Sequence, residues 1–374
     1  MQRVRSLQTA SPTQSRHLAS IQVCRGLATI LVVLGHLHGI ELKYCTTDLM
    51  RPFDHGALGV DLFFVISGFV IAAVTTGKFA SPRNAGIFLY HRVTRIYPIL
   101  WIFTTIALAA HHLLPRLSQS GWNHPVSILS SYTLIPSHLP MLLLQAWTLS
   151  YELYFYIAVF LLMLLTPERI AQRLLLLWGI VIIALKLWIG LSPSAIIQLL
   201  TSPAVLEFIA GGILFQLYRQ HRMSRTAGPA LLVASVIWLA AIIAYSNHAH
   251  AGQADWITDA PWQRPILYGT FSALFLLGAV ELERHHLIRF PHALEALGDW
   301  TYSIYLAHLF VLELIGRLAY RLFHFHNSIL LIDLISLPAV IFVGYLSYRF
   351  LENPLKIALY KLGPQPGKPA ATTV

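Results

Sequence analysis

Long apolar segments, separated by shorter polar and charged segments, recur along the whole chain. Their lengths are close to the ~20 residues that an α-helix needs to cross a bilayer. Because a bilayer offers no water to satisfy the backbone, such segments form helices. The pattern predicts an all-α polytopic integral membrane protein with about ten transmembrane helices, at residues 20–40, 57–75, 96–114, 145–165, 174–190, 203–218, 229–246, 266–282, 297–315 and 329–350.

Two of the connections between these helices are long. Residues 115–144 contain several prolines and are expected to hold a partial helix, and residues 247–264 form a polar loop. The first apolar segment is not followed by a small-residue cleavage site, so we expect it to remain as an anchor. We predict three parts and no separate soluble domain: a disordered basic tail at 1–18, a transmembrane domain at 19–355 and a basic tail at 356–374.

Positive charge alternates along the predicted spans. One side of a ten-span bundle receives the basic segments 1–18, 76–95, 166–173, 219–227, 283–292 and the C-terminal tail. The other side receives Asp48, Asp54, Asp255 and Asp259, with Arg317 and Arg321 as exceptions. Because Lys and Arg accumulate in cytoplasmic loops, both termini are predicted to be cytoplasmic. An error of one span would destroy the alternation, so it also supports the span count.

Composition agrees with a lipid environment. The chain is 56% hydrophobic and only 11% charged, with too few polar residues to cover a water-facing surface. The net charge of +10 would suggest nucleic acid as the partner of a soluble protein. Here cytoplasmic loops explain it, and the basic tail is expected to meet anionic lipid headgroups, so membrane lipid is the predicted partner and nucleic acid is not. Cys24 and Cys45 give neither a disulfide framework nor metal-ligand spacing, and no metal is predicted.

Ionisable side chains inside spans are costly and are functional candidates by default. Arg25 and His36 lie eleven residues apart in the first span. On an α-helix they are about 20° from a common face and about 16 Å apart along the axis. The first span therefore presents a cation and an imidazole on one stripe. The alternative is an arginine that snorkels to the surface and a buried histidine that only completes a hydrogen bond.

Three further spans carry such groups. Asp61 begins the second span at the level of His36, where it could orient the imidazole or cap its own helix. Glu152 lies about two turns inside the fourth span, so a partner such as His36 or Arg25 is expected. A structural ion pair is the alternative. His308 in the ninth span falls near mid-membrane, where catalysis and a simple hydrogen bond to a neighbour are equally compatible with the sequence.

Arg92 and Arg95 follow the second span, in a loop predicted to lie at the cytoplasmic edge. Three residues apart, they share a face of any helical turn. Ordinary cytoplasmic charge explains them without a function. A phosphate clamp is the functional alternative, because guanidinium groups bind phosphate through paired hydrogen bonds.

Six segments together resemble the acyltransferase family 3 of membrane proteins, which includes bacterial O-antigen, exopolysaccharide and nodulation-factor acetyltransferases. The resemblance extends from about residue 20 to about residue 355. Each segment alone is weak evidence for this family, whereas the six segments in the same order are a specific signature of it. They are Arg25-Gly26-Leu27-Ala28 with His36, the run Gly59 to Phe69, Arg92-x-x-Arg95-Ile96-Tyr97-Pro98, Trp147-Thr148-Leu149-x-x-Glu152, Tyr302-Ser303-Ile304-Tyr305-Leu306-x-His308, and Glu352-Asn353-Pro354.

The resemblance implies acetyl-CoA as a cytoplasmic donor and His36 as the catalytic base or acyl relay, with Arg25 essential beside it. It implies CoA-phosphate contacts for Arg92 and Arg95, and it matches Glu152 to the family's intramembrane acid. We add Asp61 to the catalytic candidates. The remaining motif residues are assigned to substrate contact or to support of the site: Ser67, Trp147, Tyr302, Ser303 and His308.

The same resemblance implies a multi-pass protein of the bacterial cytoplasmic (inner) membrane that acylates a carbohydrate or glycolipid hydroxyl. Two departures are visible. His91 stands where relatives often have another arginine, which would loosen the phosphate grip. The soluble esterase-like domain of some members is not seen here, so the chain would act alone or pass its acyl group to a separate periplasmic transferase.

Two other classes of protein remain open at this point. A proton-coupled secondary transporter also uses buried Arg, His, Glu and Asp, but it should show related halves or paired broken helices, and the sequence shows no such repeat. A scaffold or receptor would not need ionisable groups in several spans. Within the transferase class, a longer acyl group and a lipid, peptidoglycan or small-metabolite acceptor are alternatives that only the pocket can decide.

Overall fold

The computed structural model describes residues 18–45, 49–113, 125–190, 192–249, 261–323 and 329–364, whose regular secondary structure is entirely helical, without a β-strand. Asp48, Asp255, Asp259 and the predicted N-terminal tail up to residue 17 lie outside the described residues. The α-helices are α1 (Ala19–Tyr44), α2 (Leu58–Thr75), α3 (Pro82–Leu113), α4 (Ile128–Thr133), α5 (Trp147–Leu165), α6 (Glu168–Ile189), α7 (Ala195–Leu200), α8 (Val205–Gln220), α9 (Ala227–Ala249), α10 (Thr270–Arg284), α11 (His292–Phe323), α12 (Ile329–Ser347) and α13 (Asn353–Leu362).

Ten helical segments among the described residues are long and apolar enough to cross a bilayer, which confirms the predicted spans. The boundary prediction that matters most for the site was wrong. The third span is a continuous helix from Pro82, so Arg92 and Arg95 lie within α3 and not in a loop. The helix continues through Pro98 into its apolar part, and Arg92 and Arg95 line a cavity inside the protein.

Several spans are interrupted or extended by other helical forms. A 3₁₀-helix (Arg51–Ala57) precedes α2, and another (Leu144–Ala146) precedes α5. The sixth span is broken between α7 and α8. Single π-helical turns precede α10 (Pro265–Gly269) and join α12 to α13 (Tyr348–Glu352). The predicted partial helix in the long connection is α4, and residues 356–362 of the predicted tail continue α13.

Contacts between helices test the predicted order of the spans. When a chain crosses back and forth, its odd-numbered spans run parallel to one another, and so do its even-numbered spans. Along α1 and α11, the first and ninth spans, contacts run in order from Arg25 to Thr301, from His36 to His308 and from Lys43 to Glu313. Along α2 and α8, the second and sixth, they run from Phe64 to Phe208 and from Phe69 to Phe215. Both pairs are parallel, as ten alternating crossings require.

We call the membrane face at the start of α1 the basic side and the face at the end of α1 the far side. The predicted asymmetry of charge overlooked far-side cations, among them Lys43 and Arg264. These two are paired: Lys43 binds Glu313 at 2.7 Å, as does the predicted exception Arg317, and Arg264 binds Asp61. The placement of the basic side in the cytoplasm stays a prediction.

Helices α2 and α8 meet backbone to backbone at two glycines. A Cβ at Gly68 would overlap the Phe208 carbonyl, and a Cβ at Gly211 would overlap the Val65 carbonyl. Small residues allow such contact between membrane helices, where packing and not hydrophobic exclusion drives association. This contact fixes the register of α2, and therefore the positions of Asp61 and Ser67 relative to the other spans.

We expect Gly68→Ala to destabilise the fold by about 1–3 kcal/mol, because the added methyl group must displace a helix backbone. Gly86→Ala is the matched control. Gly86 lies in α3, and a Cβ there would meet no atom within 4 Å. The midpoint of thermal unfolding in detergent should fall for Gly68→Ala and hold or rise for Gly86→Ala. Equal midpoints for the two variants would contradict the close α2–α8 contact.

Candidate active site

Arg25 and His36 do lie on one stripe of α1, and that stripe faces α11. Arg25 Nη2 donates a hydrogen bond to Thr301 Oγ1 at 2.9 Å. About three turns further along α1, the ring of His36 lies 4.9 Å from the ring of His308 in an edge-to-face arrangement. Because the two helices are parallel, the cation and the histidine pair occupy successive levels of one interface.

Hydrogen bonds define the tautomers of the two histidines. His36 Nδ1 lies 2.8 Å from the Val32 carbonyl oxygen, and His308 Nδ1 lies 2.6 Å from that of Tyr305. A carbonyl only accepts, so each Nδ1 carries the proton and each neutral ring keeps a basic Nε2. His308 is fully buried, and its Nε2 has no hydrogen-bond partner.

His36 differs from its neighbour in accessibility. Its side chain is exposed, whereas that of His308 is fully buried. His36 is therefore the histidine of the pair that a reactant can reach, while His308 supports it from the core.

The predicted acid Glu152 borders a cavity of about 90 Å³ between α1, α2, α3, α5 and α11, together with Arg25, Arg95, Thr148 and Tyr305. We call this the inner cavity. The carboxylate accepts hydrogen bonds from Tyr156 and, at 3.4 Å, from Ser67. Arg25 and Arg95 both interact with it electrostatically. Of the two partners predicted for Glu152, Arg25 is present, and His36 is not among its hydrogen-bond or ionic partners.

A larger cavity of about 500 Å³ lies on the basic side of the inner cavity and shares Arg25 and Arg95 with it. We call it the cationic chamber. Its described lining includes four cationic side chains, Lys78, Arg92, Arg95 and Arg25, and no carboxylate. Arg92 lies over the rings of Phe88 and Tyr156, at 5.5 Å from each, and its buried Nε has no hydrogen-bond partner. Such a lining suits an anion with several negative charges.

Aromatic rings border the mouth of the cationic chamber. His91 of α3 stacks on Tyr360 of α13 with ring centres 4.4 Å apart, and both residues line the chamber. Tyr90 of α3 donates a hydrogen bond to the Leu359 carbonyl at 2.8 Å. Helix α13 is thereby fixed beside the chamber, and His91 contributes a stacked ring to its lining.

Asp61 has a partner other than the ones predicted for it. Its carboxylate accepts two hydrogen bonds from Arg264, 2.8 Å from Nε and 3.1 Å from Nη2, and it neither caps α2 nor contacts His36 through a hydrogen bond. Glu207 of α8 interacts with the same pair, and Arg264 also lies 5.3 Å below the ring of Trp147. A buried ionic cluster is formed by Asp61, Glu207 and Arg264, and its contacts are of the kind that stabilise a fold. A catalytic role for Asp61 stays a prediction.

Tyr302 and Ser303 support the site from α11. Tyr302 donates a hydrogen bond to the Ile96 carbonyl at 2.6 Å and so ties α11 to α3 beside Arg95. Ser303 donates to Glu352 at 2.7 Å and accepts from Ser347 at 3.2 Å. Glu352, at the end of the π-turn, also interacts electrostatically with Arg25 and Arg95.

Sequence reasoning missed several residues that complete these clusters, chiefly Glu207, Arg264, Thr301 and Glu352. Glu207 could have been found, because it is a carboxylate within a predicted span. Thr301 and Glu352 adjoin or belong to the quoted motifs. Arg264 ends a polar loop, and nothing in the sequence distinguishes it from ordinary loop charge.

Comparisons with known proteins agree on one family. A family model described as an acyltransferase domain (Acyl_transf_3) matches residues 18–349. The chain is also 28% identical, over 321 residues, to the exopolysaccharide production protein ExoZ of Rhizobium meliloti (strain 1021), a match that covers 81% of this chain and 90% of that protein. No solved structure matches the chain.

Proposed function

This chain belongs to the acyltransferase family whose model it matches, and from that membership we propose that it transfers an acetyl group from acetyl-CoA to a hydroxyl of a carbohydrate or glycolipid. The chain is a multi-pass membrane protein, and the proposal places it in a bacterial inner membrane with the basic side in the cytoplasm. Family membership favours a transferase over the secondary transporter that the sequence left open.

One observation carries the choice of donor. The cationic chamber offers four positive side chains and stacked rings, and it leads at Arg25 and Arg95 to the inner cavity. Coenzyme A is a long molecule with phosphates and an adenine ring at one end and a thioester at the other. Its phosphates match the cations, and a pantetheine arm could enter the inner cavity, whose Tyr305 lies 5.7 Å from the His308 ring.

The proposed acceptor is inferred from ExoZ, which matches this chain over 90% of its own length. That relative is named for exopolysaccharide production. A sugar hydroxyl is an oxygen nucleophile that needs only the removal of a proton to attack a thioester. The site offers that base, and an acyl group passed to a separate periplasmic transferase would use the same chemistry.

His36 can act in either of two ways. As a base, its Nε2 takes the proton of the acceptor hydroxyl while the oxygen attacks the thioester carbonyl. The C–S bond then breaks, and the proton passes to the leaving thiolate. As a relay, Nε2 attacks the carbonyl first, the thiolate leaves, and the acceptor oxygen later displaces the imidazole and gives its proton to the thiolate through solvent. In both cases Val32 holds the ring through Nδ1, and both routes yield one acyl ester and one free thiol.

Labelled acetyl-CoA tests the activity itself. We expect the purified protein, in detergent with de-O-acetylated surface polysaccharide from the cell that makes it, to form an alkali-labile labelled ester on the glycan. Polysaccharide that remains unlabelled, while the folded protein also releases no acetate from acetyl-CoA, would overturn the proposal.

Removal of one chamber cation tests the donor site. We expect Arg92→Gln to raise the KM for acetyl-CoA about 10-fold or more, because a hydrogen bond to a charged group contributes about 1.5–3 kcal/mol. The KM for S-acetylpantetheine, which lacks the nucleotide, should stay unchanged. Arg169→Gln is the control, because Arg169 is exposed at the start of α6 and does not line the chamber. Equal effects of Arg92→Gln on the two donors would argue against phosphate binding there.

A further inference from the structure

A third cavity, of about 410 Å³, opens on the far side. Its walls are the loop at residues 136–141, the first turns of α5 and the short helix α7. The volume falls within the ~300–1,000 Å³ that pockets for small molecules have. We call it the far-side cavity, and it shares no lining residue with the inner cavity or the cationic chamber.

The far-side cavity differs in chemistry from the cationic chamber. Its described lining contains no Asp, Glu, Lys or Arg. It combines the aromatic rings of Trp147 and Tyr151, edge to face with centres 5.7 Å apart, with polar side chains of Ser137, His138 and Gln198. A ligand for this lining is uncharged, has flat apolar faces for the rings, and has hydroxyl groups for the polar side chains.

A buried hydroxyl adds a second, independent observation. Ser150 lines the cavity, is only 4% exposed, and its Oγ has no hydrogen-bond partner. Buried polar groups are nearly always satisfied, so an orphan beside a cavity indicates a missing partner. A lipid tail could not supply that partner, whereas a sugar hydroxyl could.

The first two turns of α5 connect the far-side cavity to the site. Trp147, Ser150 and Tyr151 face the far-side cavity, while Thr148 and Glu152 line the inner cavity. Thr148 Oγ1 lies 2.7 Å from the hydroxyl of Tyr305, whose ring in turn lies beside His308. The width of α5 therefore separates a ligand in the far-side cavity from the inner cavity, whose side chains lead to His308.

We propose that the far-side cavity is a saccharide subsite that binds a sugar unit of the acceptor other than the one that is acetylated. This inference rests on the proposed function and adds the class of acceptor: a chain of at least two neutral sugars. Trp147 and Tyr151 form the stacking wall, and Ser150 and Gln198 provide hydrogen bonds to its hydroxyls.

Acceptors of two lengths test the subsite. De-O-acetylated surface polysaccharide from the cell that makes the protein is hydrolysed to oligosaccharides and to single sugars, and both are offered with labelled acetyl-CoA. We expect Trp147→Leu and Gln198→Ala, which alter different helices, each to raise the KM for the oligosaccharides about 10-fold. The KM for single sugars should not change, since they do not extend into the subsite. The KM for acetyl-CoA should also stay the same.

Trp188→Leu is the matched control, because Trp188 is a far-side tryptophan that is 84% exposed and lies outside the cavity. Unchanged oligosaccharide KM values in both variants, or equal losses with single sugars, would overturn the subsite while leaving the acetyltransferase activity intact. A wild-type protein that neither acetylates glycan nor consumes acetyl-CoA would instead overturn the proposed function.

Discussion

Replacing His36 with alanine should lower the rate of acetyl transfer about 10²- to 10⁴-fold, the range that a positioned acid–base group contributes. His36 combines an Nδ1–H fixed by Val32, a basic Nε2 and an accessible ring. Without the imidazole, the other base described at that level is His308, which is fully buried and so does not reach the acceptor. Label transferred from acetyl-CoA to glycan, and label released as acetate, should both fall.

His38 provides the matched control for that experiment. It lies two residues further along α1, is buried, and pairs with Asp54 at 3.6 Å, away from His308. We expect His38→Gln to keep transfer within a few-fold of wild type. His308→Gln should cost less than His36→Ala, and the double variant should be no slower than His36→Ala alone, because groups that act as a unit are not additive. Wild-type transfer by His36→Ala would remove His36 from the mechanism.

Replacing Arg264 with alanine should destabilise the protein by about 3–5 kcal/mol, the cost of removing one partner from a buried ion pair. Asp61 is fully buried and Arg264 is nearly so. A second carboxyl group, that of Glu207, lies beside them. Without the guanidinium, two carboxyl groups face each other without a cation. Thermal unfolding in detergent, followed by circular dichroism, should show a clearly lowered midpoint.

A compensated variant separates this structural role from chemistry. We expect Arg264→Met combined with Asp61→Asn to recover most of the lost stability, because replacing a whole buried pair is far less costly than breaking it. If the double variant also transfers acetyl groups, Asp61 serves the fold; if it folds and is inactive, Asp61 takes part in the reaction. An unfolding midpoint for Arg264→Ala equal to that of wild type would refute the ionic cluster as a stabilising element.

The count of spans and their order were predictable because each depends on a local property, the length of an apolar segment. The stripe from Arg25 to His36 was predictable for the same reason, since helical geometry alone places both on one face. The residue at which α3 begins was not predictable in this way. Charge density predicted a loop at residues 76–95, whereas α3 begins at Pro82 and carries Arg92 and Arg95 beside a cavity inside the protein.

The sequence could not predict fully which side chains meet between neighbouring helices. Asp61 was expected near His36, and Glu152 near His36 or Arg25. The rotation of each helix about its axis decides that Glu152 faces Arg25 and also Arg95, and that Asp61 faces Arg264 and not His36. Rotation depends on contacts such as that of Gly68 with Phe208, which join residues far apart in the chain. Roles for the site residues stay predictions until the variants are measured.

The narrowing from the cationic chamber to the inner cavity, from about 500 Å³ to about 90 Å³, has a consequence for the cell's energy supply. A charge that crosses a membrane held at 100 mV releases about 2.3 kcal/mol, so any wide water-filled passage would dissipate the potential that drives transport and ATP synthesis. At the narrow point, Arg25, Arg95 and Glu152 occupy the path with fixed charges of both signs. In the proposed reaction, such a constriction would admit the thioester end of the pantetheine arm while the phosphates and small ions stay behind, so the membrane would remain electrically insulating during turnover.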